Sequence, residues 1–285
     1  MDVLQAGLIG ANIQRTRLPF ALKGLCELNQ ITFKFELIDT ALLEDFDFVA
    51  CVDQKKSDGW TGVTVTHPYK VAAASYAGQL TGAPANMGAS NTLIFGGEPS
   101  SSGVRAYNTD YSGFVAAWQT ELGDRKPGKV AMAGAGGVSR AIAVALIEMG
   151  ADELSIWDLE PQRAQDVARA ADPTGTRARA VPMEQSASCI RAADGLVNAT
   201  ALGMVQYPGM AFDESDIGTQ SWAFDAVYTP VWTEFMGVTK SRGLTCFTGF
   251  SLFKHMAVRS FATYTGIDVS PAEANRIIDP LAEGL

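Results

Sequence analysis

The sequence predicts an α/β protein built as two domains, and three observations carry that prediction. Short apolar runs with the length of strands alternate with helix-like segments along most of the chain. A glycine cluster, Gly134-Ala135-Gly136-Gly137, interrupts one apolar run and is followed at once by residues with helical spacing. With 285 residues the chain exceeds the usual size of one domain, and 47% hydrophobic against 19% charged residues is the balance of an ordinary globular core.

Taken in order, Ala6 to Gly10 reads as an opening strand, followed by a polar loop from Ala11 to Arg17. Leu18-Pro19-Phe20 starts a helix running to about Asn29, because Pro19 suits a first turn and Leu22, Leu25 and Leu28 recur on one face. Ile31 to Leu37 alternates as a strand does, and Glu44 to Lys55 has a helical pattern. Gly62 to Thr66 is the next strand, stopped at His67-Pro68, and Tyr69 to Tyr76 forms a helix. Asn91 to Phe95 and Val104 to Tyr107 pair across a glycine- and serine-rich loop from Gly96 to Gly103. A helix from Tyr111 to Leu122 and a polar connector from Gly123 to Gly128 lead into the second domain.

That domain is organised around Lys129 to Ile142. Val130 to Ala133 is a strand, Gly134 to Val138 a tight turn, and the segment from Ser139 onward a helix start. Missing side chains in the turn let a pyrophosphate approach the backbone, and the unpaired N–H groups of the helix start face it. Glu153 to Trp157 reads as the second strand and ends at Asp158, about 20 residues past the turn, where a carboxylate accepts hydrogen bonds from adenosine ribose hydroxyls. The same carboxylate repels a 2′-phosphate, so NAD is expected as the cofactor, with NADP as the alternative. A second reading makes Asp158 a turn residue ahead of Pro161. Further strands at Ala178 to Val181, Leu196 to Asn198 and Ala223 to Asp225 complete a parallel, doubly wound (Rossmann) sheet. Leu244 to Phe247 is a last strand, and helices from Ser251 to Tyr264 and from Pro271 return to the first domain. The expected division is 1–108 with 247–285 as a substrate-binding domain, and 109–246 as the dinucleotide domain.

Twenty-two basic against 31 acidic residues give a net charge of −9, which argues against a nucleic-acid or anionic-membrane surface. No apolar run reaches the ~18 residues of a membrane helix and no signal-like N-terminus is present, so a cytoplasmic protein is expected. Four scattered cysteines without a C-x-x-C pair, and two histidines, predict no metal site and reduced thiols.

Three further segments complete the reading: Gly62 to Lys70, Gly88-Ala89-Ser90-Asn91-Thr92, and Tyr107-Asn108-Thr109-Asp110-Tyr111-Ser112-Gly113-Phe114. Together with Gly7 to Pro19, the Gly134 turn, Asn198-Ala199-Thr200 with Gly203-Met204, and Asp225 to Pro230, they resemble the shikimate dehydrogenase family, which includes quinate/shikimate and aminoshikimate dehydrogenases. The resemblance implies reversible, NAD(P)-dependent oxidation of a ring hydroxyl on shikimate or a related hydroxylated cyclohexane or cyclohexene carboxylate, by a monomer or homodimer. It assigns Lys70 and Asp110 as the catalytic pair. Oxidising an alcohol needs a group to take the hydroxyl proton, and a lysine oriented by a carboxylate meets that need. Left to the residues alone, Lys70 also reads as a solvated surface lysine and Asp110 as a helix cap.

By the same resemblance Thr16, Thr66, Asn91, Tyr228, Gly249 and Met256 line the substrate, and Asn198, Thr200 and Val227 join the glycine turn on the cofactor side. His67 reads as structural. Two departures stand out. The family's front loop presents two hydroxyl residues, two apart, to the substrate carboxylate, and here they are Thr16 and Leu18. Its substrate-binding glutamine on the last helix is matched by Met256, which cannot make an amide's hydrogen bonds. Arg15 and Arg17 flank Thr16 and read either as solvated loop residues or as bidentate partners for a carboxylate. These losses also suit a rival reading, a catalytically idle metabolite sensor.

Overall fold

The computed structural model describes residues 1–96 and 103–283. It divides into two compact units, Met1–Thr109 with Met256–Leu285, and Asp110–His255. Most of the connection expected from Gly96 to Gly103 lies outside the described residues.

The first unit opens with β1 (Val3–Gly10), α1 (Leu18–Leu28), β2 (Thr32–Asp39), α2 (Phe48–Ser57), β3 (Gly62–Val65) and α3 (Lys70–Ala77). Strands β4 (Thr92–Phe95) and β5 (Val104–Tyr107) follow, and α4 (Thr109–Leu122) leaves the unit. The sheet order is β2-β1-β3-β4-β5, with β1, β2 and β3 parallel and β4 antiparallel to both its neighbours. Helix α1 buries the stripe Leu18, Ala21, Leu22 and Leu25, as its leucine spacing requires. Helix α2 starts at Phe48, four residues later than its pattern suggests. Asp45 adopts a left-handed φ of 51°, and the Asp47 carboxylate accepts from the Ala50 N–H, capping the helix there.

The direction of β4 decides what gathers at one rim of this sheet. Parallel β1, β2 and β3 all end there, β4 begins there, and β5 returns to it. The loop 11–17, Asp39, Thr66, Asn91 and Asn108-Thr109 therefore share one edge, with Thr64 paired to Thr92 and Thr92 to Tyr107. The returning helix α9 (Gly249–Thr265) docks on the same sheet through a 2.9 Å hydrogen bond between the buried Thr64 and Tyr264 hydroxyls.

In the second unit β6 (Lys129–Ala133), α5 (Ser139–Glu148), β7 (Glu153–Trp157), α6 (Pro161–Ala171), β8 (Ala178–Ala180), α7 (Ser186–Ala192), β9 (Gly195–Asn198), β10 (Trp222–Asp225), α8 (Glu234–Ser241) and β11 (Thr245–Thr248) form an all-parallel sheet. Its order is β11-β10-β9-β6-β7-β8, so the winding reverses between β6 and β9, the switch point at which doubly wound sheets bind ligands. A short helix, α10 (Pro271–Ile278), closes the first unit behind a Ser270–Glu273 capping box. Among the described residues no helix is long and apolar enough to cross a membrane.

An aromatic cluster from α4 and the sheet fills one face of the second unit. Phe114 meets Phe224 edge-on at 5.1 Å, Trp118 meets Trp222 at 4.8 Å, and Phe224 lies 4.6 Å from Phe247. Room for Trp222 comes from Gly195 on the adjoining strand, because a Cβ there would lie 1.9 Å from the indole Cε2. The indole N–H donates to the Pro127 carbonyl at 3.1 Å, which fixes the ring against sideways relief. Gly195→Ala is therefore expected to cost about 1–3 kcal/mol of stability through overpacking. Urea unfolding of the variant beside the parent measures it, and an unchanged midpoint refutes it.

Candidate active site

In the first unit the rim is shaped by Asp39, the last residue of β2. Its carboxylate accepts from the Asn12 N–H at 2.8 Å, the Ile13 N–H at 3.1 Å, Gln14 Nε2 at 3.1 Å and the Ala41 N–H at 3.2 Å. Burial raises the carboxyl pKa, but the Gln14, Asn12, Ala41 and Ile13 hydrogen bonds outweigh it and hold the group below its ordinary range. The loop carrying Thr16 is thus tied to β2 at its start. Gly10 lets the loop's root pass close to the β3 end, since a Cβ there would lie 2.2 Å from Thr66 Cγ2.

Thr16 Oγ1 accepts from the Leu18 N–H at 3.3 Å. Leu18 is buried in the α1 stripe and offers no polar group to the rim. Arg15 is exposed as a solvated loop residue is expected to be, whereas Arg17 is only 4% exposed. The solvated-loop reading is corrected for Arg17, which is buried.

Lys70 is the first residue of α3 and is half-buried. Its carbonyl accepts from the Ser90 N–H at 2.8 Å, which ties the catalytic candidate to the strand start bearing Asn91. Asn91 is 2% exposed, and its side chain is engaged by protein groups. Nδ2 donates to Thr109 Oγ1 at 2.9 Å, while Oδ1 accepts from the Thr109 N–H at 2.8 Å and from Thr92 Oγ1 at 3.1 Å. Thr109 Oγ1 lies 3.0 Å from Ser260 Oγ, which donates to Met256 Sδ at 3.6 Å. The structure thus brings Asn91 and Met256 into one chain of contacts through Thr109 and Ser260. Neither intermediary is visible in the sequence as a site residue, because a lone Thr or Ser carries no distinguishing pattern. Asp110, directly after Thr109, is 8% exposed in the first turn of α4, where a carboxylate suits the positive end of the helix dipole.

In the second unit the turn after β6 is shaped by close backbone approach. Gly134 has φ of 94°, and a Cβ on it would lie 2.7 Å from the Ala199 carbonyl and 2.8 Å from Thr200 Cγ2. Gly136 and Gly137 are exposed ahead of α5. Asp158 is the turn residue of its second reading, and it also holds the glycine turn. Oδ2 accepts from the Ala135 N–H at 2.7 Å, clamping the glycine turn, and Oδ1 accepts from the Glu160 N–H at 2.9 Å, forming the bend before α6. Just inside α5, the buried Ser139 hydroxyl is the one buried side-chain polar atom without a hydrogen-bond partner among the described residues.

Opposite the turn, Asn198 uses its whole side chain internally. Oδ1 accepts from the Thr200 N–H and Oγ1, while Nδ2 donates to the Leu202 carbonyl and to Asp225 Oδ1. Asp225 also accepts from the Val227 N–H at 2.9 Å and from Thr233 Oγ1 at 2.5 Å. Asn198 therefore shapes the Thr200 loop, and Asp225 shapes the Val227 to Thr229 segment. Tyr228 stacks on Phe253 with ring centroids 5.6 Å apart. Gly249 admits the Ala226 carbonyl, which would lie 2.4 Å from a Cβ there.

Burial pushes the Asp225 carboxyl up to about 6 from 3.8, against the hydrogen bonds from Thr233, Val227 and Asn198. A folded pKa above the unfolded one means that this group stabilises most below pH 3.8, and that its contribution fades as pH rises through about 6. Asp225→Asn removes that titration while keeping an oxygen acceptor. Thermal melts across this range are expected to show the parent losing stability relative to Asp225→Asn as pH rises. Parallel curves for the two proteins refute it.

Three comparisons bear on the site. The shikimate dehydrogenase substrate binding domain matches residues 8–93, the stretch that builds the first-unit rim up to Asn91. Over 276 residues the chain is 33% identical to a quinate/shikimate dehydrogenase (NAD(+)) from Corynebacterium efficiens, covering 94% of each chain. It is 31% identical over 284 residues to a shikimate dehydrogenase (NADP(+)) from Methylobacterium radiotolerans, covering 98% of each. The fold superposes on quinate dehydrogenase from Corynebacterium glutamicum in complex with NAD with a TM-score of 0.89 at 30% identity, covering 99% of this chain and 100% of the other. With the glycine turn, the Asn198 loop and the Lys70 and Asp110 motifs at their expected element ends, the chain belongs to the shikimate dehydrogenase family of NAD(P)-dependent oxidoreductases.

Proposed function

We propose that this protein is an NAD-preferring dehydrogenase of the quinate/shikimate type, oxidising one ring hydroxyl of a hydroxylated cyclohexane or cyclohexene carboxylate to the ketone. The observation that carries the reading is Asp158 held against the glycine turn at Ala135. The residues present fit a dinucleotide. The turn is bare where a pyrophosphate must approach, the α5 N-terminus supplies N–H donors, and a carboxylate stands where ribose hydroxyls are recognised. When bound, the nicotinamide supplies a hydride acceptor.

The chain's own residues then handle the proton and the substrate. Lys70 Nζ takes the hydroxyl proton, and Asp110 is the second member of the catalytic pair. Thr16 donates its hydroxyl proton to the ring carboxylate. Thr66 contacts the ring substituents, and Tyr228 and Gly249 are the second unit's substrate-binding candidates. Asn91 acts through Thr109, whose backbone it fixes beside Asp110. Leu18 and Met256 remove two polar contacts that the family ordinarily offers. That loss favours a related ring acid such as quinate over shikimate.

The test is hydride transfer followed by nicotinamide absorbance with quinate and shikimate, each with NAD and NADP. Turnover of a ring acid is expected, with Lys70→Ala losing about 10²–10⁴-fold in kcat. Ligand binding by calorimetry without turnover refutes the enzyme reading and favours a metabolite sensor. For the cofactor, NAD is expected to bind more tightly than NADP. Asp158→Ser is expected to narrow the gap by at least about tenfold, because a like charge facing the 2′-phosphate is removed. Equal affinities in the parent remove that argument.

A further inference from the structure

Helix α3 begins at Lys70, yet its own sequence anchors it weakly. The residues it turns to the sheet are Ala73 and Ala77, both buried, while Val71, Ala72 and Ser75 on its outer side are exposed. Alanines stand too low to interdigitate with a neighbouring element, so they set a helix's distance from a sheet better than its rotation about its own axis. The N-cap residue, Tyr69, makes no side-chain hydrogen bond to the first turn. The rotation must be set by other contacts.

The large residues on the packed stripe are two tyrosines, one at each end of the helix, and α2 holds both. Tyr69 lies between two rings from the start of α2. It stacks on the buried Phe48 at 5.3 Å with the planes 8° apart, and Phe46 meets it edge-on at 5.3 Å. Tyr76, in the last turn, donates its hydroxyl proton to Asp53 Oδ1 at 2.6 Å. Both rings also pack on the core cluster that contains Ala73, Ala77, Phe48 and Val52. Between the two phenylalanines Asp47 caps α2 by accepting from the Ala50 N–H at 3.0 Å, so a fixed helix start presents the ring pair.

We infer that Tyr69 and Tyr76 are positioning residues for Lys70, setting the roll of α3 through their contacts with α2. The inference rests on Lys70 as the proton-accepting residue proposed above. Lys70 follows Tyr69 by one position, so its side chain leaves the helix about 100° around from the clamped ring. Turning the ring therefore turns the lysine. At the roughly 6 Å radius of a helix's side-chain shell, a roll of about 10° carries a side-chain tip about 1 Å. A displacement of that size at a reacting group costs on the order of 10²-fold in rate. Backbone bonds hold the helix start along its axis, because the Tyr69 N–H donates to the Thr66 carbonyl at 2.9 Å and the Lys70 carbonyl accepts from the Ser90 N–H at 2.8 Å. Roll is the freedom left for the two tyrosines to remove.

The test measures kcat and KM for whichever of quinate and shikimate the parent turns over, together with the reactivity of the Lys70 amine. Tyr69→Leu keeps an apolar side chain but loses the ring, and is expected to lose about 10–10²-fold in kcat with KM within about twofold. Tyr69→Phe keeps both ring contacts and is expected to hold kcat within about twofold of the parent. Tyr76→Phe loses only the bond to Asp53 and is expected to fall between them. Leu4→Ala opens a cavity on the sheet face away from α3, and is expected to lower the urea midpoint with kcat unchanged. Acetic anhydride labelling of Lys70, read by peptide mass spectrometry against the exposed Lys129, needs no turnover. It is expected to rise severalfold in Tyr69→Leu and not in Tyr69→Phe. Parental kcat or parental labelling in Tyr69→Leu overturns the inference. So does a Tyr69→Phe that falls as far as Tyr69→Leu, or a Tyr76→Phe that matches the parent. A parent without turnover, or a Lys70→Ala with parental kcat, overturns the reading of Lys70 instead, and labelling then decides the roll alone.

Discussion

The second unit depends on a backbone contact too close for any side chain. At the switch point the chain leaves β6 in one direction and β9 in the other, and the Gly134 turn touches the Ala199 carbonyl where they part. A methyl group at Gly134 would collide with that carbonyl and with Thr200, and the positive φ would be strained as well. The approach between the Gly134 turn and the Ala199 segment is therefore set by main chain on both sides. Main chain is hard to re-aim, and for that reason an anion site built from it is preorganised before any ligand arrives.

A related restraint recurs at the ends of β2, β7, β9 and β10. Asp39 closes β2, Asp158 follows β7, Asn198 closes β9 and Asp225 closes β10. Each side-chain oxygen accepts backbone N–H groups from its own or the neighbouring loop. A short acceptor at a strand's C-terminal end satisfies donors that the parallel ladder leaves unpaired, and it holds the loop without a long, mobile side chain. Asn91 does this at the start of the antiparallel β4, which the topology brings to the same rim. The acceptors differ in charge cost. Asp39 has several N–H donors and stays easily ionised, whereas Asp225 is wholly buried and resists ionisation.

Much of the architecture was legible in the sequence because it rests on periodicity and glycine. The strand, turn and helix around Gly134 and the stripe of α1 follow from patterns that depend on neighbours in the chain. What depends on distant partners was not legible. Strand β2 continues two residues beyond its apolar alternation because Asp39, though polar, is buried by donors from a loop 25 to 27 residues away. Thr109 and Ser260 are 151 positions apart and meet only after α9 has returned to the first sheet. Arg17 looked like a loop cation because its burial comes from tertiary packing, which no local pattern encodes.

The two departures from the family pattern are each tied into the surrounding packing. Leu18 cannot be regarded as a donor waiting to be restored, because it is an anchor of the α1 core stripe and its backbone N–H is already given to Thr16. Exchanging it for a hydroxyl residue would return a polar group to the rim at the expense of buried apolar area. Met256 is coupled differently. Its sulfur accepts from Ser260, which also meets Thr109, so the thioether ends a polar chain that begins at Asn91. An amide at that position would compete for the Ser260 proton and disturb the residue that precedes Asp110. Met256 and Thr109 are thus linked through the Ser260 hydroxyl, and a change at Met256 carries a consequence for the residue that precedes Asp110 with it.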